Sequence, residues 1–208
     1  MSWRTVVISS RCKLDMSLGY LQVRREDVTR IHLSEIGTLI VESTAVSMTA
    51  ALLVELSRRK VKILFCDEQR NPTAEVMPCY GSYDASGKLR SQIAWPKERK
   101  DLLWGTIIRE KIRKQQAMLL YAHEAERARM LEAYAERVEG ADASNREGHA
   151  AKVYFGGLFG VGFTRGDGCA FNQALNFGYA ILLSAFNREI VANGYVTQLG
   201  VFHDNMLN

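Results

Sequence analysis

The stretch "IGTLIVE" at residues 36–42 decides the fold. It is short, rich in β-branched residues and bounded by polar ones, and two similar runs, "WRTVVIS" at 3–9 and "VKILFCD" at 61–67, lie near it. Runs of this length and composition read as strands. Between the last two, "VSMTAALLVELSRRK" (46–60) carries good helix formers. Met48, Leu52, Leu53 and Leu56 share one side, and Arg58, Arg59 and Lys60 close the last turn, where cations suit the helix dipole. Residues 1–80 are therefore expected to form a small β domain containing one helix.

Beyond it the pattern changes. Pro72, Pro78 and Pro96 all fall between residues 72 and 96 together with "GSYDASG" at 81–87, so residues 81–97 read as a turn-rich linker. Asp101 to Glu139 has no proline and is rich in Ala, Leu, Glu, Lys and Arg, with Trp104, Ile108 and Ile112 at helical spacing. Two helices with a break near residue 125 follow. Residues 98–208 then form a larger all-α domain, and the fold class is α+β.

Composition sets outer limits. The chain is 47% hydrophobic and 24% charged, ordinary for a globular protein, and its 27 Lys and Arg against 23 Asp and Glu leave a net charge of +4. The excess lies between Lys97 and Arg129, which reads either as a solvated helix face or as a phosphate track. Cys12, Cys66, Cys79 and Cys169 are scattered without a C-x-x-C pair, which argues against zinc fingers and a disulfide framework and for a reducing, cytoplasmic setting. No run is long and apolar enough to span a membrane, so no membrane partner is expected.

"SNREGHAA" at 144–151 is the stretch richest in chemistry. Ser144 and Glu147 have the spacing of a capping box, whereas a carboxylate at a helix start also suits a hard divalent cation. Glu147 shares a face with Ala151 and Tyr154, and small neighbours leave its carboxylate room. The glycine-rich "FGGLFGVGFTRGDG" (155–168) lacks the phosphate-loop pattern and reads as a helix exit and loop. From Asn172 to Asn193, Leu175, Tyr179, Leu182, Phe186 and Ile190 form a core stripe. Asn172, Asn176, Ala180, Ser184 and Arg188 form a polar one, read as the wet side of a surface helix or else as a groove lining.

Three segments carry a family signature in order and spacing: "NREGHAAKVYF", "FNQALNFGYAILLSAFNREIVANG" and "TQLGVFHDN". With "WRTVVISSRCKL", "IHLSEIGTLIVEST" and "FCDEQRNPTAEVMP", they make essentially the whole chain resemble the integrase subunit of CRISPR adaptation, most closely its type II branch. The resemblance implies a homodimer assembled through the β domains. It also implies a metal-dependent DNA endonuclease and integrase that inserts spacers by transesterification, acting on protospacer and CRISPR-repeat DNA with a small adaptation partner subunit.

The same resemblance makes Glu147 and His203, 56 residues apart, catalytic residues and ligands of Mg²⁺ or Mn²⁺. His149 is not the family's ligand. Candidate DNA contacts are Arg146, Arg165, Asn172 and Asn176, with Arg109, Lys111, Arg113 and Lys114 in the basic segment. The family's third acidic ligand falls past His203 and beyond Asn208, and the adjacent Asp204 is badly placed to join His203 on one ion. The alternative expectation is thus a catalytically incomplete DNA-binding and dimerisation fragment of the same protein.

Overall fold

The computed structural model describes residues 3–77 and 82–202. They fall into two compact units. One takes the described residues up to Ala85 together with Gln173–Tyr195, and the other takes Ser86–Asn172 and the described residues from Val196 onward.

The first unit holds two four-stranded sheets. In one, β1 (Arg4–Ile8), β5 (Ile36–Val41) and β7 (Lys62–Cys66) run parallel, and β8 (Pro72–Glu75) closes the edge antiparallel to β7. These are the three runs read as strands, and β8 begins on Pro72, a residue tolerated at the first position of an edge strand. The second sheet, in the order β4-β3-β2-β6, comprises β2 (Cys12–Ser17), β3 (Tyr20–Arg24), β4 (Val28–His32) and β6 (Val46–Met48). Its first hairpin turns on Leu18 and Gly19, both at positive φ, which matches the twist of the flanking strands. The expected helix starts later than its apolar pattern: Thr49 caps α1 (Ala50–Arg58) by accepting from the Leu52 N–H, and Val46–Met48 pairs with β2 instead. Leu14, Leu21, Ile36, Leu39, Leu52, Leu56 and Ile63 are fully buried between these elements. Each contributes about 1.5–3 kcal/mol of hydrophobic stabilisation.

The last helix, α6 (Ala170–Ala192), reverses the expected faces. Its Phe177 and Ile181 pack on Ile40, Leu64 and Cys66, and Ser184 and Asn187 donate to the Glu75 carboxylate. Tyr179, Leu182, Phe186 and Ile190, expected in the core, are exposed. From the polar stripe Ser184 turns inward, beside the apolar Phe177 and Ile181, and with Asn187 it supplies the donors that the Glu75 carboxylate needs. Thus 173–192 joins the β elements rather than the other helices.

The second unit is helical. The stretch read as linker contains α2 (Ala85–Ile93), held by Gln92, whose buried amide donates to the Val196 and Leu199 carbonyls and accepts from the Val196 N–H. A long α3 (Lys97–Tyr121) and α4 (Ala125–Glu136) follow, broken at His123 in left-handed conformation, then α5 (Arg146–Phe159), which exits through Gly160 at φ 97°. Ile108, Ile112, Leu119, Ala128 and Leu131 form the core. Two glycines permit its close approaches. A Cβ on Gly105 would lie 2.3 Å from the Gly140 carbonyl oxygen, and one on Gly157 would lie 2.8 Å from Leu119.

Candidate functional site

Glu147 stands in the first turn of α5, and the chain enters that helix by an unusual route. Asp142 and Asn145 are both left-handed, at φ 61° and 50°. The Asp142 carboxylate accepts from the N–H groups of Arg146 at 2.8 Å and Glu147 at 2.9 Å, and the Asn145 side chain accepts from Gly148 at 3.2 Å. The capping box expected from Ser144 and Glu147 is therefore not formed. Three free N–H groups of the first turn are already served, and Ser144 accepts instead from the Arg146 guanidinium at 3.1 Å. Freed from capping, the Glu147 carboxylate pairs with the Lys111 ammonium of α3. Both side chains are partly exposed, so the pair is screened by water, and the helix dipole adds to its hold on negative charge.

His203 lies outside the described residues. Its neighbour Phe202 stacks on Trp104 of α3, rings 4.9 Å apart and 6° from parallel. Trp104 and Lys111 are two turns apart on one face of α3, about 10 Å along its axis. Phe202 and Glu147 thus meet the same face of the same helix. Among the described residues no three His, Cys, Asp or Glu side chains gather as a metal cluster.

The other candidates divide. Asn172 is 2% exposed, and its amide donates to the Thr164 and Asp167 carbonyls at 2.7 and 2.8 Å while its oxygen accepts from Arg165 at 2.6 Å. It braces the loop after α5 and presents no face to a groove. The Arg165 guanidinium also lies 5.6 Å from the Phe155 ring, and that of Arg146 lies 6.0 Å from Tyr134. Asn176 is exposed on α6. In the basic segment, Arg113 pairs with Glu110, Arg127 with Glu124 and Lys97 with Asp101, each within one helix, while Arg109 donates to the Val138 carbonyl. Such exposed pairs contribute little stability, because water and salt screen them. They leave Arg99, Lys100, Lys114 and Arg129 as the segment's cations with neither a carboxylate nor a carbonyl partner among the described residues. Sequence reasoning missed Asp142 as the helix cap and Lys111 as the partner of Glu147. The first was signalled only by an acid three residues before Asn145, and the second by nothing local.

A β unit of two sheets joined to a helical unit is a fold that recurs in solved structures. The chain belongs to the family of CRISPR associated protein Cas1, whose family model matches residues 5–206. It is 34% identical over 210 residues to the CRISPR-associated endonuclease Cas1 of Neisseria meningitidis serogroup C, covering 100% of this chain and 69% of that protein. The chain thus spans about two thirds of the relative's length. In fold it resembles a Cas1 protein from Thermotoga maritima (TM-score 0.72, 16% identity, covering 99% of this chain and 70% of that one). It also resembles a casposase bound to integration product (TM-score 0.73, 16% identity, 98% and 65%). No helix among the described residues is long and apolar enough to cross a membrane.

Proposed function

We propose that the chain is the integrase subunit of CRISPR adaptation, a Mg²⁺- or Mn²⁺-dependent DNA endonuclease and integrase. The reading is carried by Glu147, a carboxylate at a helix start whose only ion-pair partner among the described residues is Lys111, in a chain of the Cas1 family. The donor chemistry fits a hard divalent ion. A carboxylate oxygen already balanced by a cation can exchange the ammonium for a metal and leave the helix start electrically satisfied. Glu147 and His203 would hold the ion, and the seat of Phe202 on α3 supports their meeting there. A bound ion would neutralise the target phosphate and favour attack by the incoming 3′ hydroxyl. Asp142 and Asn145 fix the turn that aims Glu147, and Lys111, its ion-pair partner, would serve as a counter-charge to a phosphate bound there. In the reaction the 3′ oxygen of the incoming DNA forms a bond to phosphorus and the repeat's own 3′ oxygen leaves, so one phosphodiester replaces another.

Phosphate contacts from Lys100, Lys114 and Arg129, with Arg146 and Arg165 nearer α5, would hold duplexes of any sequence. Pairing of β units would make a homodimer, with a small adaptation subunit as further partner. Light scattering should then report twice the 23.4 kDa chain mass.

The test measures duplex binding and Mn²⁺-dependent strand transfer together, with a labelled protospacer-like duplex and a repeat-bearing plasmid. Transfer by the chain, lost by about a hundredfold or more in Glu147→Ala with duplex affinity kept, is expected, a loss on the scale of one essential electrostatic group. Undiminished transfer by Glu147→Ala overturns the assignment. Salt-sensitive binding with no transfer by the parent chain would instead favour the DNA-binding reading.

A further inference from the structure

The parallel strands of the first unit begin with a polar row. Thr5 of β1 is paired with Thr38 of β5, and Thr38 with Lys62 of β7, so two hydroxyls and an ammonium stand side by side on one sheet face. The next row on that face, Val7, Ile40 and Leu64, runs to the apolar seat of α6. Where the polar row emerges, a cleft of about 360 Å³ opens, lined also by Trp3, Lys60 and Arg188.

Lys62 is the unusual member. It is only 6% exposed, and its ammonium donates to the Ile181 carbonyl at 3.2 Å. An ammonium carries three donors, and no carboxylate among the described residues lies within ion-pair distance of this one. Burial pushes its pKa down, Glu75 and Glu189 oppose that, and Arg188 adds to it. Two acids of this unit are engaged elsewhere. Glu75 is spent on Ser184 and Asn187, and Glu35 pairs with Arg4 at 3.0 Å. Glu189 alone among the acids lines the cleft, against Lys60, Lys62, Arg188 and the paired Arg4. A buried ammonium with unused donors, in a cleft of positive excess, is costly unless an anion completes it. Beside it the Trp3 ring is 72% exposed, with the Arg4 guanidinium 5.2 Å from its centre.

We propose that this cleft binds the phosphate of a nucleotide, with Lys62, Lys60 and Arg188 on the phosphate, the Thr5 and Thr38 hydroxyls as further donors, and Trp3 against the base. Cations and hydroxyls are the donors a phosphate dianion takes, an aromatic ring suits a base, and the volume lies at the small end of ligand pockets, about 300–1,000 Å³. The site is independent of Glu147 and of any metal. Two sources share the chemistry, a free mononucleotide and the 5′-phosphorylated end of a strand.

Calorimetric titration of the intact chain, without divalent metal, separates them. The probes are AMP, adenosine, inorganic phosphate, and a short single strand with and without a 5′-phosphate. Saturable binding at millimolar or lower concentration is expected for AMP or for the phosphorylated strand. Adenosine and the unphosphorylated strand should bind about tenfold or more weakly, the worth of one charge-assisted contact. Binding of AMP identifies a free nucleotide, and binding of the phosphorylated strand alone identifies a strand end. Lys62→Met should weaken the binding about tenfold or more while leaving the melting temperature unchanged or higher, because it removes a buried charge without leaving a hole. Arg188→Gln, on the cleft's other wall, should weaken it as well. No phosphate-dependent binding by any probe, or binding that survives both substitutions unchanged, overturns the proposal.

Discussion

Replacing Asp142 tests how the candidate site is built, because the structure and the sequence motif name different caps for α5. The Asp142 carboxylate takes two N–H groups of the first turn, at 2.8 and 2.9 Å, from a residue held at φ 61°. Losing a side-chain cap costs about 1 kcal/mol per hydrogen bond, and a residue such as alanine in left-handed backbone costs about 1 more. Asp142→Ala should therefore destabilise the helical unit by about 3 kcal/mol. Asp142→Asn, which keeps one acceptor oxygen and tolerates the backbone, should cost about 1 kcal/mol. Ser144→Ala should cost under about 0.5 kcal/mol, because that hydroxyl meets only an exposed guanidinium. Urea unfolding followed by the far-ultraviolet helix signal gives the totals, and hydrogen exchange at the Arg146 and Glu147 amides localises the loss. A Ser144→Ala cost of about 1 kcal/mol with a silent Asp142→Ala would restore the capping box and refute this account.

Gly105→Ala should cost about 1–3 kcal/mol, since its methyl meets a backbone oxygen that has no rotamer to adopt, whereas Gly87→Ala in α2, with nothing within 4 Å, should be neutral or stabilising in the same melts. Burial, with Glu42 and Asp67 adding to it, pushes the Cys66 thiol above its ordinary value of 9.0, so it stays protonated at pH 8. A thiol reagent should leave it unmodified in the native chain and label it in urea, and rapid native labelling would contradict this placement. Asn172→Ala should free the loop after α5 and raise the rate of tryptic cleavage at Arg165 about tenfold or more, with little change in global stability, because three hydrogen bonds to that loop disappear; an unchanged digest would show the loop is held otherwise.

What could be read without the structure follows from how local the cause is. The runs at 36–42 and 61–67 announced themselves because strands covered on both faces are mostly apolar, here with Thr38 and Lys62 as the exceptions. The sheet of β2, β3 and β4 did not, since "CKLDMS" and "VTRIH" face water on one side and Leu18 gives no sign that it will take positive φ. The two stripes of α6 were legible, but the face that turns inward, with Phe177, Ile181 and Ser184, is set by the sheet and by Glu75, more than a hundred residues earlier. At α5, Asp142, Ser144 and Asn145 all offered oxygens within four residues, and only the left-handed entry decides among them. The pairing of Glu147 with Lys111 joins residues 36 apart and has no local sign.

The order in which the chain is made has a consequence for its folding. The parallel sheet is finished by a helix whose contacts reach back 109 to 119 residues, from Ser184 to Glu75 and from Ile181 to Lys62. Most of the helical unit, Ser86–Asn172, lies between them in sequence. On the ribosome the strands therefore emerge first and wait, with Ile40, Leu64 and Cys66 uncovered, while the intervening helices are synthesised and can close on local contacts of their own. Folding of the first unit is then a late, high-contact-order step limited by closure of a long loop, and the half-built sheet is the species most exposed to aggregation.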